Sequence, residues 1–532
     1  MGLEKRPEVL TLDDGSKYWE QEYESFYLKT YIPANDLEGR VNNYGFKAPL
    51  LMVFEEQKSD RDGAIGFAKD TGLADIAAAY DASVLFIYPT AEGGWDNAPA
   101  SLYVDFIGEV RLDTVYNEGL AEFHDFFAKK FRGYFIRGTK FRADIYSYGS
   151  SADYVARNLL KTQQGEFLWG PGEITPAMCS MERLSVVPDI ERRDIAVLSV
   201  GNSDEINKAF EGCENLLVRE KADYKDDFYS FVHKFKMWCG HIELEPDLDA
   251  MNMTEESGIV TVKTSPNNIG TFKDEPEHKI GYFAYYNNGL FDKGPAPLLM
   301  GFHGGGDSSM YLTYVSEIYR VAHDHDILFV SIENHLDVTP TEAMDVLNAL
   351  KERYNIDEHR IYATGFSMGS GKTTDMFMEY PEVFAGLAPC SALFPVKDNP
   401  WSRPISGKIN QDIPVPLFYS GGHESPLPEL PFQAESCLER AQYFARVNRL
   451  KADFGSLKFE ERDKWEDKIW GIPGDRTEKI YDESNDAYLT VNYYESEDGV
   501  CRTAFASVSP QQHQCRHHSV EQAWKFISQF TR

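Results

Sequence analysis

Gly365-Phe366-Ser367-Met368-Gly369 is the stretch of this sequence best arranged to present a nucleophile. The pattern G-x-S-x-G needs small neighbours because the serine sits on a strained turn between a strand and a helix, where its hydroxyl points outward. "RIYATG" before it is β-branched and aromatic enough for a buried strand, and "KTTDMFMEYP" after it reads as a helix ended by Pro381. The same segment contains Gly371-Lys372-Thr373, which invites a phosphate-loop reading. A phosphate loop requires a glycine five positions before Gly371, and Phe366 stands there. Lys372 is therefore expected as a solvated residue of the helix.

A serine needs a base, an acid and an oxyanion site. "HGGG" at His303–Gly306 follows the apolar run "PLLMGF", and glycines there let backbone N–H groups approach a developing alkoxide. The expected donors are the N–H groups of Met368 and of Gly304 or Gly305, with His303 bracing backbone. The acid belongs after a later strand: "VPLFYSGGHES" offers Glu424, with Glu429 as the rival beyond Pro426 and Pro428. The base belongs last in the chain, where His513 is the first choice and His518 the second. Ser519 with Gln522 reads as a capping box opening the final helix.

These residues require an alternating strand and helix scaffold, and the sequence offers it twice. "APLLMVFEEQKSD" from Ala48 and "APLLMGFHGGGDSS" from Ala296 share A-P-L-L-M-x-F, each between two strand-like runs. "RADIYSYGSSAD" resembles "HRIYATGFSMGS", which sets Ser151 opposite Ser367. "IAVLSVGNSDE" resembles "VPLFYSGGHES", which sets Asp204 opposite Glu424, at 53 and 57 residues from the respective serines. The expectation is α/β: two tandem domains, 1–249 and 250–532, each a mostly parallel sheet flanked by helices. In the first, Glu55, Glu56 and Gln57 stand where His303, Gly304 and Gly305 stand, and Asp153 replaces the last elbow glycine. That domain is expected to be catalytically silent, serving as packing, lid or part of the cleft, with His233 and His241 as the nearest histidines.

The 532 residues carry a formal charge of -32, which argues against nucleic acid or an anionic membrane as partner. Seven cysteines without C-x-x-C spacing suit a reducing compartment and suggest no zinc site. The N-terminal stretch has no apolar signal segment, and the expected location is cytoplasmic. No metal or cofactor is implied, and the composition admits a homo-oligomer.

With "HGGG", "GFSMGSG" and the ending "HQCRHHSVEQAWKFISQFTR" in the second half, and "FAKDTGLADIAAAYDASVLFIYPTAEGGW" in the first, the chain resembles the α/β-hydrolase superfamily. Within it, the resemblance is to polyhydroxybutyrate-depolymerase-like and feruloyl-esterase-like serine carboxylesterases. The resemblance implies ester hydrolysis through Ser367, Glu424 and His513, with a small-molecule or oligomeric ester as substrate, and the family's H-Q ending supports His513. A prolyl-oligopeptidase-like peptidase and a non-catalytic scaffold are the alternatives. The stretch 430–490 is expected as a cap over the cleft or a solvated excursion, and under the esterase reading Trp465 and Trp470 line an aromatic acyl or sugar pocket.

Overall fold

The computed structural model describes residues 8–34, 49–80, 82–115, 136, 138–167, 170–223, 225–227, 246–268, 273–304, 309–333, 338–391 and 409–532. They fall into two compact units, one ending at Pro246 and the other running Asp247–Arg532. Gly305, His233 and His241 lie outside the described residues.

The first unit is built on β1 (Leu10–Thr11), β2 (Lys17–Glu22), β3 (Phe26–Ile32), β4 (Pro49–Phe54), β5 (Val84–Pro89), β6 (Thr139–Tyr148), the separate antiparallel pair β7 (Gln164–Phe167) and β8 (Gly170–Glu173), and β9 (Met178–Glu182), β10 (Ala196–Val200) and β11 (Leu216–Arg219). Its main sheet has the order β1-β2-β3-β5-β4-β6-β9-β10-β11. Pairing is antiparallel through β3 against β5 and parallel from β5 onward.

The second unit contains β12 (Met253–Lys263), β13 (Glu277–Asn287), β14 (Ala296–Phe302), β15 (Leu328–Ile332), β16 (Ile356–Phe366), β17 (Gly386–Cys390), β18 (Leu417–Gly422), β19 (Arg476–Asp482), β20 (Ala487–Tyr494) and β21 (Thr503–Ser509). Its order is β12-β13-β15-β14-β16-β17-β18-β21-β20-β19, so β12 to β21 repeat the arrangement of β2 to β11. β14, a central parallel strand, is apolar along its whole length and every one of its residues is buried, as expected where both faces of a sheet are covered. Helix Pro340–Arg353 opens on a capping box from Thr339 and Glu342 with a proline in its first turn, an N-terminus that satisfies its own orphan N–H groups.

Two expectations about elements change. The last helix runs His517–Ile527, beginning before Ser519: Arg516 is extended, its carbonyl accepts the Val520 N–H at 3.2 Å, and Ser519 is buried inside the first turn. The stretch 430–490, expected as a cap or a solvated excursion, contributes to the sheet and its core. Helix Glu435–Val447 packs Phe444 on Phe377, and β19 and β20 extend the sheet beyond β21. Trp470 stacks on Phe505 at 4.9 Å and is 2 % exposed, and Trp465 is 5 % exposed with its indole N–H on the Lys458 carbonyl. Both tryptophans fill core space, so neither lines a substrate pocket.

Candidate active site

Ser367, Glu424, Glu429 and His513 follow the carboxyl ends of the parallel strands β16, β18 and β21, where ligand sites of open α/β sheets form. Ser367 follows β16 with φ 54° and ψ -113°, the forbidden backbone that the elbow pattern predicts. Its N–H donates to the Cys390 carbonyl at 3.0 Å, and its own carbonyl receives Gly371 N–H at 3.1 Å to start helix Met368–Glu379. The flanking glycines have a steric reason. A Cβ on Gly365 would stand 2.2 Å from the Gly369 oxygen, and one on Gly369 would stand 1.9 Å from the Phe302 oxygen. The elbow is thus pressed directly against the end of β14.

His513 follows β21. Its Nε2 lies 2.9 Å from Ser367 Oγ, and its Nδ1 lies 2.5 Å from Glu429 Oε1. The ring rests on Phe366, centroid to centroid 4.8 Å. His518, the second choice, lies at the start of the last helix with Nδ1 3.6 Å from Asp482, and burial holds its pKa below the usual histidine range.

The acid on His513 is Glu429, and this corrects the expectation of Glu424. Glu424 Oε1 accepts Ser509 Oγ at 2.9 Å and its Oε2 accepts Gln511 N at 2.6 Å, so its carboxylate is occupied by the histidine's loop and not by its ring. Pro426 and Pro428 were expected to carry Glu429 away from the strand end, but the loop folds back. Glu429 Oε2 accepts Gly422 N–H at 2.6 Å and Oε1 accepts Ser425 Oγ at 2.7 Å. Gln433 locks the return: its side-chain oxygen takes the N–H groups of Glu429 and Leu430, each at 2.8 Å, and its amide donates to the His423 carbonyl at 3.0 Å. Sequence reasoning gave Gln433 and Ser425 no role, and the only signal was a run of three prolines that limits where the loop can go.

On the oxyanion side, Met368 is the first residue of its helix, where an N–H has no intrahelical acceptor. The next residue, Gly369, packs on the carbonyls of Phe302 and His303, the two residues before Gly304. His303 braces the loop as expected: its Nδ1–H donates to the Gly304 carbonyl at 2.7 Å, and burial pushes its pKa down to about 4, which keeps the ring neutral. Glu333, at the end of β15, was missed. It accepts the N–H and hydroxyl of Ser309 and lies 3.9 Å from His303 Nε2, and burial raises its pKa to about 7.

Lys372 is not solvated. It is 4 % exposed and donates to the Val338 carbonyl at 2.7 Å, with Asp375 at 3.5 Å. A buried ammonium with backbone and carboxylate partners anchors the helix to the loop after β15, and the phosphate reading has no structural counterpart.

Strand register in the first unit corrects the expected alignment by two residues. Phe54 pairs with Ser147 as Phe302 pairs with Gly365, so Gly149 occupies the place of Ser367 and Ser151 the place of Gly369. The backbone agrees: Gly149 has φ 60° and ψ -129°, its N–H donates to Glu182 O at 2.9 Å, and its carbonyl receives Asp153 N–H at 3.1 Å. Ser151 is fully buried, with its hydroxyl donating to Phe54 O at 2.6 Å. Where a nucleophile's Cβ would stand on Gly149, the Glu56 Oε1 lies 1.9 Å away. Glu55 takes the place of His303, buried against Lys29 and Ser59. Asp204, opposite Glu424 in register, opens the surface helix Asp204–Ala209.

Strand order, elbow and loop placement together define an α/β-hydrolase-type fold in both units. Comparison with solved structures finds similarities that each cover about half of this chain. An S-formylglutathione hydrolase from Staphylococcus aureus superposes with TM-score 0.32 at 13% identity, covering 54% of this chain and 100% of its own. An acetyl xylan esterase from Aspergillus awamori gives 0.33 at 12% identity, covering 51% and 98%, and a ferulic acid esterase 0.30 at 12%, covering 52% and 98%. No protein-family model matches the sequence, and no curated protein matches it. Among the described residues no helix is long and apolar enough to cross a membrane, and no cluster of His, Cys, Asp and Glu could hold a metal ion.

Proposed function

We propose that the second unit is a serine carboxylesterase with Ser367 as nucleophile, His513 as base and Glu429 as the acid that orients it. The observation that carries this reading is the continuous relay Glu429, His513, Ser367 at 2.5 and 2.9 Å, on a serine whose backbone is held in a forbidden region. His513 Nε2 takes the Ser367 proton as Oγ bonds to the ester carbonyl carbon. The resulting oxyanion rests on the N–H groups of Met368 and of Gly304 or Gly305. His513 then returns its proton to the departing alcohol, and water, deprotonated by the same ring, releases the acyl group. Glu429 keeps Nδ1 protonated, so that Nε2 faces the serine as an acceptor, and stabilises the imidazolium that forms.

The first unit is a silent partner in this reading, descended with the second from a tandem duplication. The shared strand order supports the duplication. The silence is supported by Gly149 in the nucleophile's place and the Glu56 carboxylate beside it, where negative charge would oppose an oxyanion. The charge of -32 favours a small neutral or cationic ester over an anionic surface.

The test is hydrolysis of p-nitrophenyl esters of graded acyl length and of matched peptide anilides by the wild type and Ser367→Ala. Ester turnover lost in the variant is the expected result. Anilide turnover exceeding ester turnover would instead favour a peptidase, and no turnover of either would favour a scaffold.

A further inference from the structure

We propose that Glu424 is a positioning residue for the base: it ties the loop that carries His513 to the loop that carries Glu429. This rests on the triad reading above and extends it to a residue with no contact to the reacting atoms.

The geometry is that of a two-point staple. The chain between β18 and helix Glu435–Val447 sends two carboxylates to the same neighbouring loop. Glu429 meets the His513 ring, and Glu424 meets the loop's backbone, through Gln511 N at 2.6 Å, and its side chain, through Ser509 Oγ at 2.9 Å. Two backbone bonds run alongside, Glu424 N to Gln511 O at 3.0 Å and His423 N to Val508 O at 2.9 Å. The backbone bonds alone leave Ser509 and the Gln511 N–H without an acceptor in this direction. Gln511 is two residues from His513, and its side chain donates to Gln514 O at 3.1 Å, so a fixed Gln511 brackets the histidine from both sides. A hydrogen bond to a carboxylate is shorter and stronger than a neutral one. Its removal lets the imidazole swing while leaving the core intact, because the Glu424 side chain is 43% exposed.

The register places Asp204 of the first unit opposite Glu424, where it opens a surface helix. An acidic residue at this place in the fold is thus compatible with a strand-end turn alone. The two bonds to Ser509 and Gln511 are what give Glu424 its task.

The experiment uses the full-length protein, with kcat and KM on a p-nitrophenyl ester and the second-order rate of fluorophosphonate labelling of Ser367. The variants are Glu424→Gln, Glu424→Leu, Ser509→Ala and the double variant Glu424→Leu/Ser509→Ala. A misplaced base lowers kcat and labelling together, about 10- to 100-fold in Glu424→Leu, with KM within about twofold. Glu424→Gln, which keeps one carbonyl acceptor for one of the two donors, falls between. The double variant loses no more than Glu424→Leu, because the Ser509 contact is already gone. Wild-type rates in Glu424→Leu, a change confined to KM, or losses that multiply in the double variant would each overturn the proposal while leaving the triad standing. A wild type that neither labels nor turns over ester would overturn the triad reading and this inference together.

Discussion

Replacing Glu429 by glutamine tests the triad through a tautomer that the structure dictates. Oε2 of Glu429 faces the Gly422 N–H at 2.6 Å, a donor that only an oxygen can meet. An amide at this position therefore keeps its carbonyl on Gly422 and turns its NH2 toward Ser425 Oγ and His513 Nδ1. The imidazole must then accept at Nδ1 and carry its proton on Nε2, which faces Ser367 Oγ at 2.9 Å and can no longer take the hydroxyl proton. The same change in other serine triads lowers kcat by about 10⁴, equivalent to about 5.5 kcal/mol of barrier. The predicted outcome for Glu429→Gln is a loss of that size in kcat on a p-nitrophenyl ester, with KM little changed and the thermal midpoint close to wild type. Steady-state kinetics from pH 6 to 9, with Glu424→Gln measured beside it, provide the assay. Glu429→Gln retaining more than a tenth of wild-type kcat would refute the tautomer argument. A larger loss in Glu424→Gln than in Glu429→Gln would hand the acid role back to Glu424.

Gly369→Ala places a methyl 1.9 Å from the Phe302 oxygen, and although alanine is the better helix former, destabilisation of at least about 3 kcal/mol is expected in urea titration. Trp470→Ala removes a side chain stacked on Phe505, and its expected effect is a loss of about 3 to 5 kcal/mol in stability with the ester acyl-length preference unchanged, read by urea midpoints and a substrate panel. Gln433→Leu deletes the acceptor of the Glu429 and Leu430 N–H groups, and kcat is expected to fall about 10- to 100-fold, with KM measured alongside as the control for binding. Burial raises the Glu333 pKa from 4.5 to about 7, so the folded state holds the proton more tightly than the unfolded chain does. Stability from this group is complete below pH 4.5 and is lost as pH rises toward 7, by about 3 kcal/mol in all. Glu333→Gln keeps an acceptor for Ser309 and has no proton to lose, so its urea midpoint is expected to gain on wild type between pH 5 and 8, and a parallel pH dependence in the two proteins would contradict this.

The elbow turn, the histidine that lies beside Ser367 and the two α/β sheets were legible because each is written in local chemistry. A Cβ on Gly365 or Gly369 would stand under 2.3 Å from a backbone oxygen, so the G-x-S-x-G pattern records a steric demand. The apolar runs of β14, β16 and β18 are uniformly buried apart from the tip of β16 and its edge residues, which is what a parallel sheet core requires. The acid was not legible, because its place depends on a loop path. Glu424 is adjacent to the strand end and Glu429 lies five residues further, but three prolines and the Gln433 amide turn the chain back so that the distant carboxylate reaches the ring. The two-residue error in the first unit has a different origin. "YGSSAD" and "GFSMGS" align best on their serines, whereas hydrogen-bonded register aligns Gly149 with Ser367. Trp465 and Trp470 looked like pocket residues because they sit in a charged insertion, but that insertion folds inward to supply core.

In the proposed function one serine, at one of the two elbows, is the nucleophile. Fluorophosphonate labelling of the folded full-length protein, followed by peptide mass mapping, tests it most directly. The expected result is a single adduct on Ser367, absent in Ser367→Ala and strongly slowed in His513→Ala. An adduct on Ser151, which lies fully buried at the position of Gly369, or no adduct at all, would contradict it.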